Sequence, residues 1–190
     1  MSKQSGFSLV ELVIVIVVVG LLAVAALPRF LDVTDEAKKA SIEGVAGGYA
    51  TGVLSARAQW EARSRPSVTV GNERYNTVNY DGMDFWLTRA QDSSGTSTDF
   101  RDGYPFALND NGGSAPGSLD DQNCVDLMDN LLQNPPQVDT VANASSNDDI
   151  RYSAQADGSN WTCTYVQQEG NSAHQFVYEI RTGRVTVTLQ

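Results

Sequence analysis

With one histidine, two cysteines and 13 lysines plus arginines against 23 acidic residues, this chain of 190 residues is poor in the groups that most catalysis and nucleic-acid binding require. Each shortage excludes something. A single histidine, His174, beside a strand-like run leaves no Ser/His/Asp arrangement to place, and with Cys124 and Cys163 the only thiols, a Cys/His metal site or a catalytic thiol has no support. No glycine-rich phosphate loop and no zinc spacing occurs. The paired carboxylates Asp120-Asp121 and Asp148-Asp149 lie in polar turns, where solvation is their natural state. No enzyme, no cofactor and no metal is expected. Beyond Pro66 the basic residues are Arg74, Arg89, Arg101, Arg151, Arg181 and Arg184, and the net charge is −10. Such a surface repels phosphate backbones, so no nucleic-acid partner is expected, and it suits solubility outside a cell. The two cysteines are consistent with a secreted domain closed by one disulfide, worth at most about 4 kcal/mol by chain-entropy arguments.

What the chain does have is an apolar run from Leu12 to Leu27, preceded by Gly6-Phe7-Ser8-Leu9-Val10-Glu11. An ionised side chain at the middle of a bilayer costs roughly 2.5–3.5 kcal/mol, so Glu11 needs a partner. Cleavage between Gly6 and Phe7 would supply one: a new α-amine one helical turn from Glu11, charged at neutral pH because such amines titrate near ~8. The pair could neutralise within one helix or across two. Two other readings share the run. A secretory signal peptide would use Lys3 as its basic region and Ala23-Val24-Ala25 as its cleavage site, although an acid gains nothing there. A plain transmembrane anchor would need Phe7 to Val10 to approach the ~20 residues required to span.

The string Lys3-Gln4-Ser5-Gly6-Phe7-Ser8-Leu9-Val10-Glu11 resembles the processing site of a type IV prepilin. The resemblance implies that a prepilin peptidase removes residues 1–6 and methylates the amine of Phe7. It also makes Glu11 the acid that guides subunits into a growing filament. Pro28-Arg29-Phe30-Leu31-Asp32 and Ala58-Gln59-Trp60-Glu61 further resemble minor pilins of the mannose-sensitive haemagglutinin (MSHA) pilus. Implied with it are an α+β pilin-like roll, a long N-terminal helix packed on an antiparallel sheet, and a disulfide between Cys124 and Cys163. The implied organisation is a leader at 1–6, a hydrophobic transmembrane and assembly helix at 7–29, and a periplasmic, later extracellular, globular domain at 30–190. The implied partners are other pilin subunits, the prepilin peptidase and the pilus assembly machinery of a bacterial inner membrane, and the implied role is surface attachment. A pseudopilin of a type II secretion system shares the N-terminal signal. A membrane-anchored module whose loop region recognises a surface sugar or protein is the alternative from another class.

Periodicity sketches the rest. One helix is expected from about Phe7 to about Arg63, kinked near Pro28. In its second half Ile42, Val45, Tyr49, Val53, Ala56 and Trp60 form an apolar stripe, with Ala37, Ala40, Gly44, Gly47 and Gly48 as a small-residue face partly beside it. From Ser64 to about Gly117 the chain reads as a long irregular connection with strands at Ser67 to Val70 and Arg74 to Val78 and a short helix around Asp84 to Ala90. Asn109-Asp110-Asn111-Gly112-Gly113 has the composition of half a calcium loop but lacks the distal glutamate, and a turn is expected there. Asp120 to Leu132 reads as a helix stopped by Pro135-Pro136. Ile150 to Ala154, Trp161 to Gln167, Gln175 to Arg181 and Arg184 to Leu189 read as an antiparallel meander. The face bearing Trp161, Cys163 and Tyr165 on one strand and Val185, Val187 and Leu189 on another is expected to cover the helix stripe.

Overall fold

The computed structural model describes residues 7–109, 115, 117–169 and 173–190, with all their side chains except those of residues 31 and 32. The chain divides into two compact units, Met1–Ala40 and Ser41–Gln190, and helix α1 (Leu9–Ala62) contributes to both.

In the first unit, every described residue from 7 to 30 is exposed. Valine and isoleucine, which dominate this stretch, are mediocre helix formers in water. They stay helical where no water competes for the backbone, because there a helix satisfies every N–H and C=O internally. Pro28 lies inside α1 without ending it. Beyond it the surface turns polar: Thr34 Oγ1 donates to the Phe30 carbonyl, and Lys38 and Lys39 pair with Asp35 and Glu36 three residues back.

In the second unit, the rest of α1 buries Ile42, Ala46, Tyr49, Val53, Ala56 and Trp60, while Val45 is half-buried against the same core. A five-stranded sheet supplies much of that core: β5 (Val138–Thr140), β6 (Tyr152–Asp157), β7 (Thr162–Gln167), β8 (Gln175–Glu179) and β9 (Arg184–Thr188), in sequence order. β6 to β9 form the expected antiparallel meander, whereas β5 lies parallel to β6. The parallel strand is a departure from the expected all-antiparallel sheet. It leads into the one-turn helix α3 (Val141–Ala144), which returns the chain toward β6. Helix α2 (Asp121–Leu131) begins at a capping box in which Asp120 and Asn123 exchange side-chain and backbone hydrogen bonds, and it buries Cys124, Val125, Leu127, Met128 and Leu131. α1 and α2 meet at Gly52, where a Cβ would stand 2.4 Å from the Leu131 carbonyl oxygen. Gly48 is also close to α2, but Gly44 and Gly47 face open space, so only part of the small-residue face serves packing within this chain.

Tyr49 is the centre of the core. Its ring lies 5.4–5.6 Å from those of Tyr165, Phe176 and Tyr178, and its hydroxyl donates to Tyr165 Oη at 3.1 Å, because Tyr165 donates onward to the Cys124 carbonyl at 2.8 Å. Burial pushes the Tyr49, Tyr165 and Tyr178 hydroxyls well above their ordinary range, and each has a partner, as buried polar groups require.

The segment from Ser64 to Gly117 has strands where two were expected, at Ser67–Val70 and within Glu73–Tyr80, but is more regular than the irregular connection expected around them. It holds a four-stranded antiparallel sheet, β1 (Ser67–Val70), β2 (Glu73–Tyr80), β3 (Met83–Leu87) and β4 (Pro105–Leu108), in sequence order. The helix expected around Asp84 to Ala90 is strand β3. The cause is the two-residue hairpin Asp81-Gly82, with φ of 50° and 87°, the geometry that lets a tight turn match strand twist. Phe85, Trp86 and Leu87 are buried in succession, so no alternation marks the strand. Residues 110–113 of the expected calcium-like turn, and residues 170 and 171 of the turn before β8, lie outside the described residues.

His174, expected at a loop or strand edge, precedes β8 and is buried, with Nδ1 accepting the Gln190 backbone N–H at 3.0 Å. On the expected helix-covering face, Cys163 and Tyr165 are fully buried and Val185 and Val187 half-buried; Leu189 is exposed, and Trp161 sits in the turn before β7.

Candidate processing and assembly segment

Gly6 lies outside the described residues; Phe7, just after it, is 87% exposed. The helix begins two residues on, and the residues that start it do two tasks. Ser8 N–H donates to Glu11 Oε2 at 2.8 Å, and Glu11 N–H donates to Ser8 Oγ at 3.2 Å. This reciprocal pair is a capping box, which satisfies two of the four N–H groups that a helix start leaves without partners. It also holds the carboxylate in the first turn, where the positive end of the helix dipole favours an anion. Glu11 is thus turned back toward Phe7. The spelling S-x-x-E immediately before an apolar run is the sequence signal for this arrangement, and Ser8 is the one residue of the segment that charge arguments alone do not find.

From Leu9 to Phe30 the helix presents apolar side chains on all sides, and each of them is exposed. Burying each such Val, Leu or Ile is worth about 1.5–3 kcal/mol, so the segment carries a large unsatisfied demand for an apolar environment. Among the described residues, α1 is long and apolar enough to cross a membrane. Either a bilayer or a bundle of identical helices meets that demand.

The disulfide lies elsewhere. Cys124 on α2 and Cys163 on β7 are bonded, both fully buried, with Cα atoms 5.5 Å apart. The bond ties helix to sheet beneath Tyr165, whose hydroxyl bonds the Cys124 carbonyl. It stabilises the second unit and takes no part in the N-terminal segment.

Residues 1–27 match the family model of the prokaryotic N-terminal methylation motif. A stretch of 57 residues, 30% of this chain, is 40% identical to the type IV narrow pilus major component PilA5 of Thermus thermophilus. The match spans 49% of that relative, about half its length. No solved structure matches. Residues 1–27 thus carry the N-terminal methylation motif, and a 57-residue stretch of the chain is similar to a type IV pilin.

Proposed function

We propose that the chain is a minor structural subunit of a type IV pilus of the MSHA kind, with a structural rather than a catalytic role. In this reading residues 1–6 are a leader removed by a prepilin peptidase, which methylates the amine of Phe7. Residues 7–29 hold the subunit in the inner membrane, and residues 30–190 form a domain that is periplasmic before assembly and extracellular after it. The carrying observation is the uncovered apolar helix from Leu9 to Phe30, headed by Ser8 and Glu11. A subunit stored in a bilayer and then moved into a helical bundle keeps that surface away from water at both stages. The carboxylate of Glu11, held toward the helix start, is placed to meet a Phe7 amine on its own chain or a neighbour's. Filaments assembled by the inner-membrane machinery would then serve surface attachment.

Mass spectrometry of the mature protein, with immunogold labelling of sheared filaments, tests the proposal. It requires an N-terminus at methylated Phe7 and label on the filaments. An N-terminus at Ala26, as a signal peptidase would leave, or filaments free of label, would overturn it.

A further inference from the structure

Two sets of charges in the second unit are left unpaired by its fold. The first is Asp148 and Asp149, exposed in the turn between α3 and β6. Asn147 builds that turn, its Oδ1 accepting the Asp149 N–H and its carbonyl the Ile150 N–H, so neither carboxylate is spent on it. The next cation along the chain, Arg151, is taken by Glu169 at 2.7 Å, and neither aspartate has an ion pair among the described residues.

The second set borders a shallow cleft of about 590 Å³ on the outer face of β7, β8 and β9. Asn160, Thr162 and Thr186 give it hydrogen-bonding groups, Arg181 and Arg184 its cations, and Glu179 its one carboxylate. Arg184 stands opposite Glu179 in the ladder, yet Glu179 accepts from Thr182 Oγ1 at 2.7 Å and the two form no ion pair. Arg181 lies over the Phe100 ring at 5.3 Å and gives one N–H to the Ser159 carbonyl, which leaves most of its donors free. Other charges surround the cleft. Arg101 is exposed and tied to the same turn through its N–H to the Arg181 carbonyl, and behind the turn Arg57 donates to Tyr104 Oη, whose ring packs on Gly183. Against them stand Asp157, which accepts from Ser159 and Asn160, Asp102, which accepts from the Ala90 N–H, and Asp99, two residues before Arg101. This end of the domain is thus balanced in charge within a chain of net charge −10, and the charged groups in the cleft with free hydrogen-bonding capacity are the guanidiniums.

The sheet fixes where the two sets lie. Tyr152 pairs with Gln167 at one end of β6, and the row Asp157, Thr162, Glu179, Arg184 crosses β6 to β9 at the other. The six residues of β6 hold those ends about 16 Å apart. The aspartates precede the first end and the cleft occupies the second. One copy does not join them, whereas a second copy displaced along the strands in the same orientation brings its aspartates to this cleft.

We propose that the cleft of one copy receives the Asp148-Asp149 turn of a second copy, with Arg181 and Arg184 pairing with its carboxylates. Guanidinium and carboxylate match through two parallel hydrogen bonds, which fixes orientation as well as attraction. The contact is heterologous and leaves a free cleft at one end and a free turn at the other, so it adds copies in a row. Its place in a filament rests on the function proposed above; the pairing itself does not. A subunit with this contact would enter a filament in short runs.

The test uses full-length protein dispersed in a non-ionic detergent, so its result stands whether or not the filament reading does. In Arg184→Lys the cleft carries a primary amine, and a carbodiimide joins that amine to a carboxylate in contact with it, forming an amide while the carbodiimide takes up the water as a urea. Cross-linked peptides from a mixture of isotope-labelled and unlabelled protein show whether the two ends belong to different copies. Mixed-isotope links from position 184 to Asp148 or Asp149 are expected. Association measured by sedimentation should weaken several-fold in Asp148→Arg/Asp149→Arg and in Arg181→Glu/Arg184→Glu, and recover when these two proteins are mixed. Association through the apolar helices alone would be indifferent to both changes. Absence of a mixed-isotope link from position 184, links to other carboxylates only, or a mixture that does not recover would overturn the proposal.

Discussion

Ser8 and Glu11 exchange hydrogen bonds across the first turn of α1, so that the serine hydroxyl receives the glutamate N–H and the carboxylate receives the serine N–H. The acid therefore has a local role even before any second subunit arrives. A cap is worth about 1 kcal/mol, while a carboxylate and an amine ~4 Å apart at an effective dielectric near 20 attract by about 4 kcal/mol before desolvation. On the proposed function, the charge would therefore weigh more in docking than the cap does.

Substitutions separate the two roles. Glu11→Gln can keep the capping geometry but removes the charge, Glu11→Val removes both, and Ser8→Ala removes the hydroxyl half of the cap. If pairing with an amine drives assembly, Gln and Val variants should be processed and retained in the membrane yet enter filaments equally poorly, while Ser8→Ala enters nearly as wild type. The ratio of subunit in sheared filaments to subunit in membranes, at equal expression, reads this out. A Gln variant that assembles normally would shift the role of Glu11 from charge to cap.

The disulfide joins residues separated by 39 positions, and a loop of that size gives a chain-entropy stabilisation of about 4 kcal/mol. Cys163→Ser should lower the unfolding free energy by up to that amount, read from the shifted denaturation curve, and reduce accumulation in an oxidising compartment. Alkylation of native protein should find neither thiol free, and peptide mapping without reductant should recover the two cysteines linked.

Much of the fold is legible in the sequence because its signals are local. The stripe from Ile42 to Trp60 recurs at helical spacing, and the strands β6 to β9 alternate between turns. β3 is not legible from periodicity, since Phe85, Trp86 and Leu87 are buried one after another; Asp81-Gly82 was its one local marker. β5 has three residues and is placed by its parallel neighbour, a contact that no short window contains. The same contrast holds for candidate sites. Gly6-Phe7 and Glu11 stand in one continuous motif and can be read directly, whereas the arginine cleft draws Thr162, Glu179 and Arg184 from three separate strands.

The glycines of α1 make opposite predictions within a few residues. A Cβ at Gly52 would meet the Leu131 carbonyl at 2.4 Å, forcing α1 and α2 apart, so Gly52→Ala should destabilise the protein by about 1–3 kcal/mol. A Cβ at Gly47 meets nothing within 4 Å, and Gly47→Ala should stabilise by about 0.5–1 kcal/mol through helix propensity. Thermal melts of the two variants decide it. A Gly47→Ala protein that melts higher but assembles less well would show that this open face is used between subunits.

Asp129 provides the final prediction, through pH. Partial burial, with the charges of Asp126 and Asp139 nearby, raises its pKa above the ordinary aspartate value. The folded state therefore holds the proton more tightly than the unfolded chain does. Its contribution is most favourable below the unfolded pKa and is lost as pH rises through the higher, folded value. At neutral pH the ionised group is a liability. Asp157 works in the opposite sense, because hydrogen bonds from Asn160 and Ser159 lower its pKa, and the stability it adds above the usual carboxylate range is lost as pH falls. Asp129→Asn should accordingly raise the melting temperature at pH 7, with the advantage over wild type shrinking toward pH 3, where wild-type Asp129 is itself neutral. Asp157→Asn should lower it at pH 7, again with the difference fading in acid. Melting curves of the three proteins across that range check both signs together, and an Asp129→Asn protein that melts below wild type at pH 7 would show that the carboxylate has a stabilising partner outweighing its burial and its acidic neighbours.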